Sequence, residues 1–197
     1  MSEVTDKRRR RTRRLSDERR EELLRAGVEL FSARSYDEVS IDEIAAAVGI
    51  SRGLLYHYFP SKRDFYVAGL RRAADDLLAA VAPAVRSPQG DRLDAGLDAY
   101  LGYVETHARG FVSLMRGGIG SDSEVRAIVD GVRESLTVGV LEGLREGGVE
   151  RPSLRLAVRG WIGFVEAVSL EWIERGEPSR DEVAGLARSQ LVAIIGG

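Results

Sequence analysis

The chain has 197 residues, 44% hydrophobic and 30% charged, the composition of an ordinary globular protein able to bury a sizeable core in one large or two small domains. Its net charge is only −2, yet residues 1–20 carry nine Lys/Arg against four acids, +5 net, and leave −7 for the rest; a basic end on an acidic body suits a protein that meets a polyanion at that end alone. With no cysteine and two histidines (His57 and His107), it offers no disulfide framework, no Cys-based zinc or redox site and no metal site built on several histidines, so neither metal nor cofactor is expected.

The elements follow in chain order. Residues 1–15 are polar and basic without apolar periodicity, and read as a flexible basic arm. A first helix opens at Ser16, with Asp17 and Glu18 in the turn where the positive end of the dipole favours acids. Leu23, Leu24, Gly27, Leu30 and Phe31 continue it as one buried stripe to about Arg34. No apolar run approaches the ~18–20 residues that span a bilayer. No apolar stretch follows the charged N-terminal segment as it would in a signal peptide. The chain is therefore read as cytoplasmic, without a membrane partner.

Ser40-Ile41-Asp42-Glu43 is a capping box, with Val39 and Ile44 as its hydrophobic staple. Ile41, Ile44, Ala45 and Val48 give a short helix one apolar face, and Gly49 ends it. Ser51 then caps a third helix, with Ile50 and Leu55 as the next staple. Two short helices joined by a three-residue turn containing Gly form a helix-turn-helix. Pro60 stops the third helix, and Ser61 with Asp64 opens a fourth.

Every later break reads as a helix-helix connection. Pro83 and Ser87-Pro88-Gln89-Gly90 separate the fourth helix from one at about Asp91–His107. Gly117-Gly118-Ile119-Gly120 precedes a helix capped by Ser121 with Glu124. That glycine cluster lacks the preceding strand and the Gly-Lys-Ser/Thr of a phosphate loop, so it is a connector. Gly147-Gly148 ends the Ser121-capped helix, and Pro152 suits the first turn of the next. Gly176 and Pro178 end that one, and Ser179 with Glu182 box-caps the last. No segment alternates as a strand. The expected fold is all-α, about nine helices, divided into the arm at 1–15, a helix-turn-helix domain at 16–62 and a helical domain at 63–197.

A recognition helix presents its N-terminal residues to the major groove, where base edges carry a distinguishable code. Ser51, Arg52 and Gly53 sit there, and Arg52 has the fork to bind guanine bidentately. Leu55 and Phe59 share a face as core. Tyr56, about 100° round the helix, can turn its hydroxyl to DNA. His57 is either a phosphate contact or an inert half-exposed side chain. Lys62, in the first turn of the fourth helix, suits a phosphate, as do the free amides beside Ser40. The arm has two readings, a solvated tail raising non-specific affinity or an entry of arginines into the minor groove.

The segment Ser40–Lys62, SIDEIAAAVGISRGLLYHYFPSK, with its flanks resembles the TetR family of bacterial regulators. The resemblance runs from about Leu23 to Phe65, on Ala26, Phe31, Ile44, Ala45, Gly49, Ser51, Gly53, Leu55-Tyr56-His57-Tyr58-Phe59 and Ser61-Lys62. It departs at Leu54, where the family often has a small hydroxyl residue. The remainder resembles the family in length and helical character. The resemblance implies DNA contacts at the matching positions, a small-molecule pocket inside the C-terminal helices, and a dimer built as a four-helix arrangement by the last two long helices, here about Pro152–Arg175 and Ser179–Ile195.

Tyr100, Tyr103, His107, Phe111 and Met115 recur at rough helical spacing and read either as core or, with Trp161, as lining of that pocket. Trp161, Val165, Val168, Trp172, Leu186 and Leu191 are candidates for the dimer face, part of each helix being core and part interface. One helix-turn-helix covers too little DNA for useful specificity, which also argues for a two-fold dimer. The expected function is a ligand-responsive repressor on a palindromic operator; the alternative is a constitutive DNA-binding protein without an effector. An enzyme is disfavoured, because no catalytic arrangement of Ser/His/Asp, Cys/His or paired carboxylates stands out.

Overall fold

The computed structural model describes residues 18–25, 27, 30–34, 36–85, 92–116 and 122–196, and every regular element among them is an α-helix. Helix α1 covers 18–25; then come α2 Leu30–Ala33, α3 Ile41–Ala47, α4 Arg52–Tyr58, α5 Lys62–Val85, α6 Arg92–Thr106, α7 Ala108–Arg116, α8 Ser123–Glu146, α9 Leu154–Arg175 and α10 Arg180–Gly196. The all-α expectation holds. The basic arm, the Ser16 cap and the Gly117–Gly120 connector lie outside the described residues. Among the described residues, no helix is long and apolar enough to cross a membrane.

The chain packs as two units divided between Arg72 and Ala73, within α5. In the first, Leu23, Leu24, Phe31, Val39, Ile44, Leu55, Phe59 and Phe65 are buried. Aromatic rings supply much of this core: Phe59 meets Phe65 edge-on at 4.9 Å and Phe31 meets Tyr66 at 4.8 Å. Gly27 is required by close approach, because a β-carbon there would run into the ring of Phe65. An ion pair between Arg72 and Glu21 ties α5 to α1.

In the second unit α9 packs between α8 and α10, and α6 packs on α10. Leu77, Leu97, Leu101, Val104, Phe111, Val132, Leu154, Val158 and Val183 are buried there. The buried tryptophans are anchored by their polar ends: Trp161 Nε1 donates to the Ala187 carbonyl and Trp172 Nε1 to the Pro178 carbonyl, both at 2.7 Å. Arg188 to Asp94 (2.5 Å) and Arg180 to Asp98 and Glu105 (3.3 Å each) join α10 to α6.

Three local expectations need correction. Pro83 does not end α5 but sits in its last turn, two residues before Val85. It forfeits one bond, to the Ala79 carbonyl, while buried Leu77 and Ala84 hold the helix on either side. The cap of α8 is Asp122 rather than Ser121: its Oδ1 accepts from the amides of Glu124 (2.9 Å) and Val125 (3.2 Å), a charged acceptor at the positive end of the helix. Pro152 lies in the turn ahead of α9, which begins at Leu154 with Ser153 as N-cap.

Candidate nucleic-acid interface and ligand cavity

The turn between α3 and α4 is built from caps at both ends. Ser40 Oγ accepts from the Glu43 amide (3.2 Å) while Glu43 Oε2 accepts from the Ser40 amide (2.8 Å), closing the capping box. Val39 and Ile44 are both fully buried, as the staple requires. Gly49 takes φ 69°, a left-handed conformation that glycine adopts without penalty, and turns the chain between the helices. Ser51 Oγ then accepts from the Leu54 amide at 3.2 Å and starts α4.

Helix α4 is divided by burial. Leu55 and Phe59 face the core at 0% and 1% exposure, whereas Ser51, Arg52, Gly53, Leu54, Tyr56 and His57 are exposed. Ser40 and Asp42 at the start of α3 are exposed as well. Arg52 Nη1 lies 3.4 Å from the Asp42 carboxylate, and its guanidinium stands 5.6 Å from the Tyr56 ring centre. Leu54, the departure from the family pattern, is 42% exposed beside these groups. His57 packs edge-on against Tyr58.

Two further features bear on this region. Arg34 Nη1 donates to Glu43 Oε1 at 2.6 Å, and another nitrogen of the same guanidinium donates to the Glu38 carbonyl. The Arg34 bond, followed by the two from Ser40, holds the Glu43 carboxyl down to about 2. Lys62, half-buried at the start of α5, rests its ammonium 4.1 Å from the Tyr36 ring centre. Neither the Arg34 brace nor the Lys62 seat is visible in local sequence, since the partners lie nine and twenty-six residues away.

In the second unit a cavity of about 390 Å³ opens between α5, α6, α8 and α9. Of the predicted pocket residues, Tyr100, Met115 and Trp161 line it. Tyr103, His107 and Phe111 are placed elsewhere: Tyr103 donates to the Ala73 carbonyl (3.1 Å) and stacks on His107 at 4.4 Å, and Phe111 is fully buried against the edge of Tyr100. Sequence reasoning missed most of the wall, notably Leu78, Leu97, Leu136, Val140 and Ile162, and the polar pair Arg133–Glu166. Arg133 Nε and Nη2 donate to the two Glu166 oxygens at 2.9 and 2.7 Å. Burial pushes the pKa of the Tyr100 phenol well above the ordinary value. No group of three or more metal-ligating side chains occurs among the described residues.

The residues considered for a dimer face divide by burial. Trp161, Val165, Trp172 and Leu191 are buried within the single chain, Val165 and Leu191 on the cavity wall. Val168 is half-buried, and Leu186 is 46% exposed. Leu156 and Val192 are also exposed, at 78% and 55%.

Comparison with known proteins agrees with this architecture. Residues 23–68 match the "Bacterial regulatory proteins, tetR family" domain and residues 89–194 the "Tetracyclin repressor-like, C-terminal domain". The HTH-type transcriptional activator FasR of Mycolicibacterium smegmatis is 31% identical over 165 residues, covering 82% of this chain and 75% of that protein. The HTH-type transcriptional repressor KstR2 of Mycobacterium tuberculosis is 28% identical over 91% of this chain and 92% of its own. A crystal structure of a tetR-family transcriptional regulator from Streptomyces coelicolor superposes with a TM-score of 0.73 at 40% identity, over 91% of this chain and 82% of that one. Matched along both units, the chain belongs to the TetR family of helix-turn-helix transcriptional regulators.

Proposed function

We propose that the chain is a ligand-responsive repressor, a homodimer that binds a palindromic operator and releases it when a small molecule occupies the cavity. The observation that carries the reading is the division of α4: one side is locked into the core by Leu55 and Phe59, and the other presents Ser51, Arg52 and Gly53 to solvent at the helix start. On this reading Arg52 reads a base, for which a bidentate contact discriminates by about 1–3 kcal/mol. Tyr56, Lys62, His57 and the amides beside Ser40 position the phosphate backbone. The DNA-binding part is 16–62, and 63–197 carries ligand and dimer functions.

The second copy docks on α9 and α10. Leu156, Gly160 and Ala167 on α9, with Leu186 and Val192 on α10, are exposed, and the small residues let two helices approach closely. Two-fold symmetry then sets the recognition helices about one turn of DNA, ~34 Å, apart. A ligand that prefers another spacing shifts the population only by its differential affinity, about 5.5 kcal/mol for a change from 1:99 to 99:1. The cavity favours this reading over a constitutive DNA-binding protein. The repressor assignment is tested by transcription in vitro from the promoter of the bound site: added protein lowers the transcript, and a rise in transcript instead makes the chain an activator.

A further inference from the structure

The cavity is apolar over most of its wall, and its charges are already spoken for. Among the described residues, the charged groups lining it are Arg92, Arg133 and Glu166. Arg133 gives two bonds to Glu166 and a third, at 3.3 Å, to Asp130. Arg92 is bonded to Glu146 at 2.5 Å. The Glu166 side chain is only 13% exposed, so a ligand carboxylate that took Arg133 would strand Glu166 as a buried charge without its counter-ion. An ammonium group would face a similar exchange from the other side, taking Glu166 and leaving Arg133 with the longer bond to Asp130 in place of its two shorter ones. The uncharged polar side chains on the wall are Tyr100, whose hydroxyl lies against Ser169, and Ser135 and Trp161, whose donors are committed to the Gly131 carbonyl (2.9 Å) and the Ala187 carbonyl (2.7 Å).

We infer that the cavity takes an uncharged, mainly hydrocarbon molecule with one hydroxyl or carbonyl for Tyr100, and that Glu166, by occupying Arg133, is the residue that excludes anions. This deepens the ligand-responsive reading and rests on it. A neutral ligand leaves both ion pairs in place and exchanges apolar wall and apolar ligand surface for water, the dominant favourable term in such a site. Among the described lining residues, each cation an anion would meet already holds a carboxylate. The cavity volume, about 390 Å³, lies at the lower end of the range for small-molecule sites, which suits a single chain or a small ring system.

The experiment uses the full chain and three probes that differ only in their head group: 1-dodecanol, dodecanoate and dodecylammonium, below their aggregation concentrations at pH 7.5. Trp161, on the wall, reports occupancy by fluorescence, and calorimetry fixes each Kd. Dodecanol is expected to bind saturably, and the two ions at least ten-fold more weakly. In Glu166→Gln, whose side chain keeps its shape and loses its charge, the gap between dodecanoate and dodecanol is expected to shrink to under three-fold. Dodecanoate binding wild type as tightly as dodecanol overturns the exclusion of anions while leaving a ligand-binding cavity intact. A gap that Glu166→Gln leaves unchanged overturns the role given to Glu166. Failure of all three probes to bind overturns both this inference and the cavity as the effector site.

Discussion

Arg52 Nη1 lies 3.4 Å from the Asp42 carboxylate, so the cation at the start of α4 is tethered to the first turn of α3. Both side chains are more than half exposed, and a pair of this kind contributes little to stability. On the proposed reading its consequence is for binding: Asp42 holds a negative charge beside the residues proposed to meet DNA and restrains the guanidinium. Asp42→Asn is expected to raise affinity for random-sequence duplex and to steepen the dependence of log K on log salt by up to about 1. Titrations at several salt concentrations check this; an unchanged slope contradicts it.

Lys62 and Arg52 are assigned different work. Lys62→Ala is expected to weaken binding to every duplex alike and lower the salt slope by about 1, and Tyr56→Phe to weaken it uniformly. Arg52→Ala is expected to relax preference at one symmetric pair of base positions, at about 1–3 kcal/mol per contact. Competition against a panel of single-base operator variants separates the two. A sequence-selective loss in Lys62→Ala reverses the assignment.

Glu43 closes the Ser40 box and accepts from Arg34, and its carboxyl is held down to about 2 from an ordinary 4.5. A carboxyl depressed in the folded state contributes its stability above the unfolded value and loses it as pH falls through the folded value. Wild type is therefore expected to melt above Glu43→Gln at pH 7, with the difference closing between about pH 4.5 and pH 2. Melting curves of both proteins across that window measure the difference, and a gap independent of pH contradicts the assignment.

Gly27 lies under the ring of Phe65 with no room for a β-carbon. Gly27→Ala is expected to destabilise the first unit by about 1–3 kcal/mol through overpacking, against the small gain alanine gives an open helix. Adding Phe65→Leu, which removes the ring edge, is expected to recover part of the loss. Denaturant unfolding of the single and double variants measures the coupling, and additive effects contradict the contact.

Leu186 is exposed in the single chain, whereas Leu191, one turn and a little further on, is buried at 1%. Leu186→Glu is expected to leave helix content intact and to shift the protein from dimer towards monomer in sedimentation. A dimer unaffected by Leu186→Glu places the interface elsewhere.

Local chemistry was the readable part of this chain. Ser40, Glu43, Gly49 and Ser51 act within four residues of themselves, and the structure has each in the cap or turn its type favours. The sorting of Leu55 and Phe59 from Tyr56 follows from helical angle alone. Pro83 reads as a helix stop from sequence, but its lost bond ends a helix only where nothing else holds it, and the burial of Leu77 and Ala84 is not a local property. At α8 both Ser121 and Asp122 suited the cap, and sequence offered no means to choose between neighbours one residue apart. The cavity was half-seen for a similar reason. Tyr100 and Tyr103 share one helix, yet Tyr103 bonds back to Ala73 and Tyr100 lines the cavity, and the pairing of Arg133 with Glu166 spans 33 residues.

In the proposed function two copies of α4 read the two halves of one operator. Selection of bound duplexes from a random pool by the full-length protein tests it most directly. The expected result is an enriched inverted repeat whose half-site centres lie about one helical turn apart, ~34 Å, with Arg52→Ala losing preference at one symmetric pair of positions. Recovery of no enriched sequence, or of a single half-site whose preference survives Arg52→Ala, would contradict it.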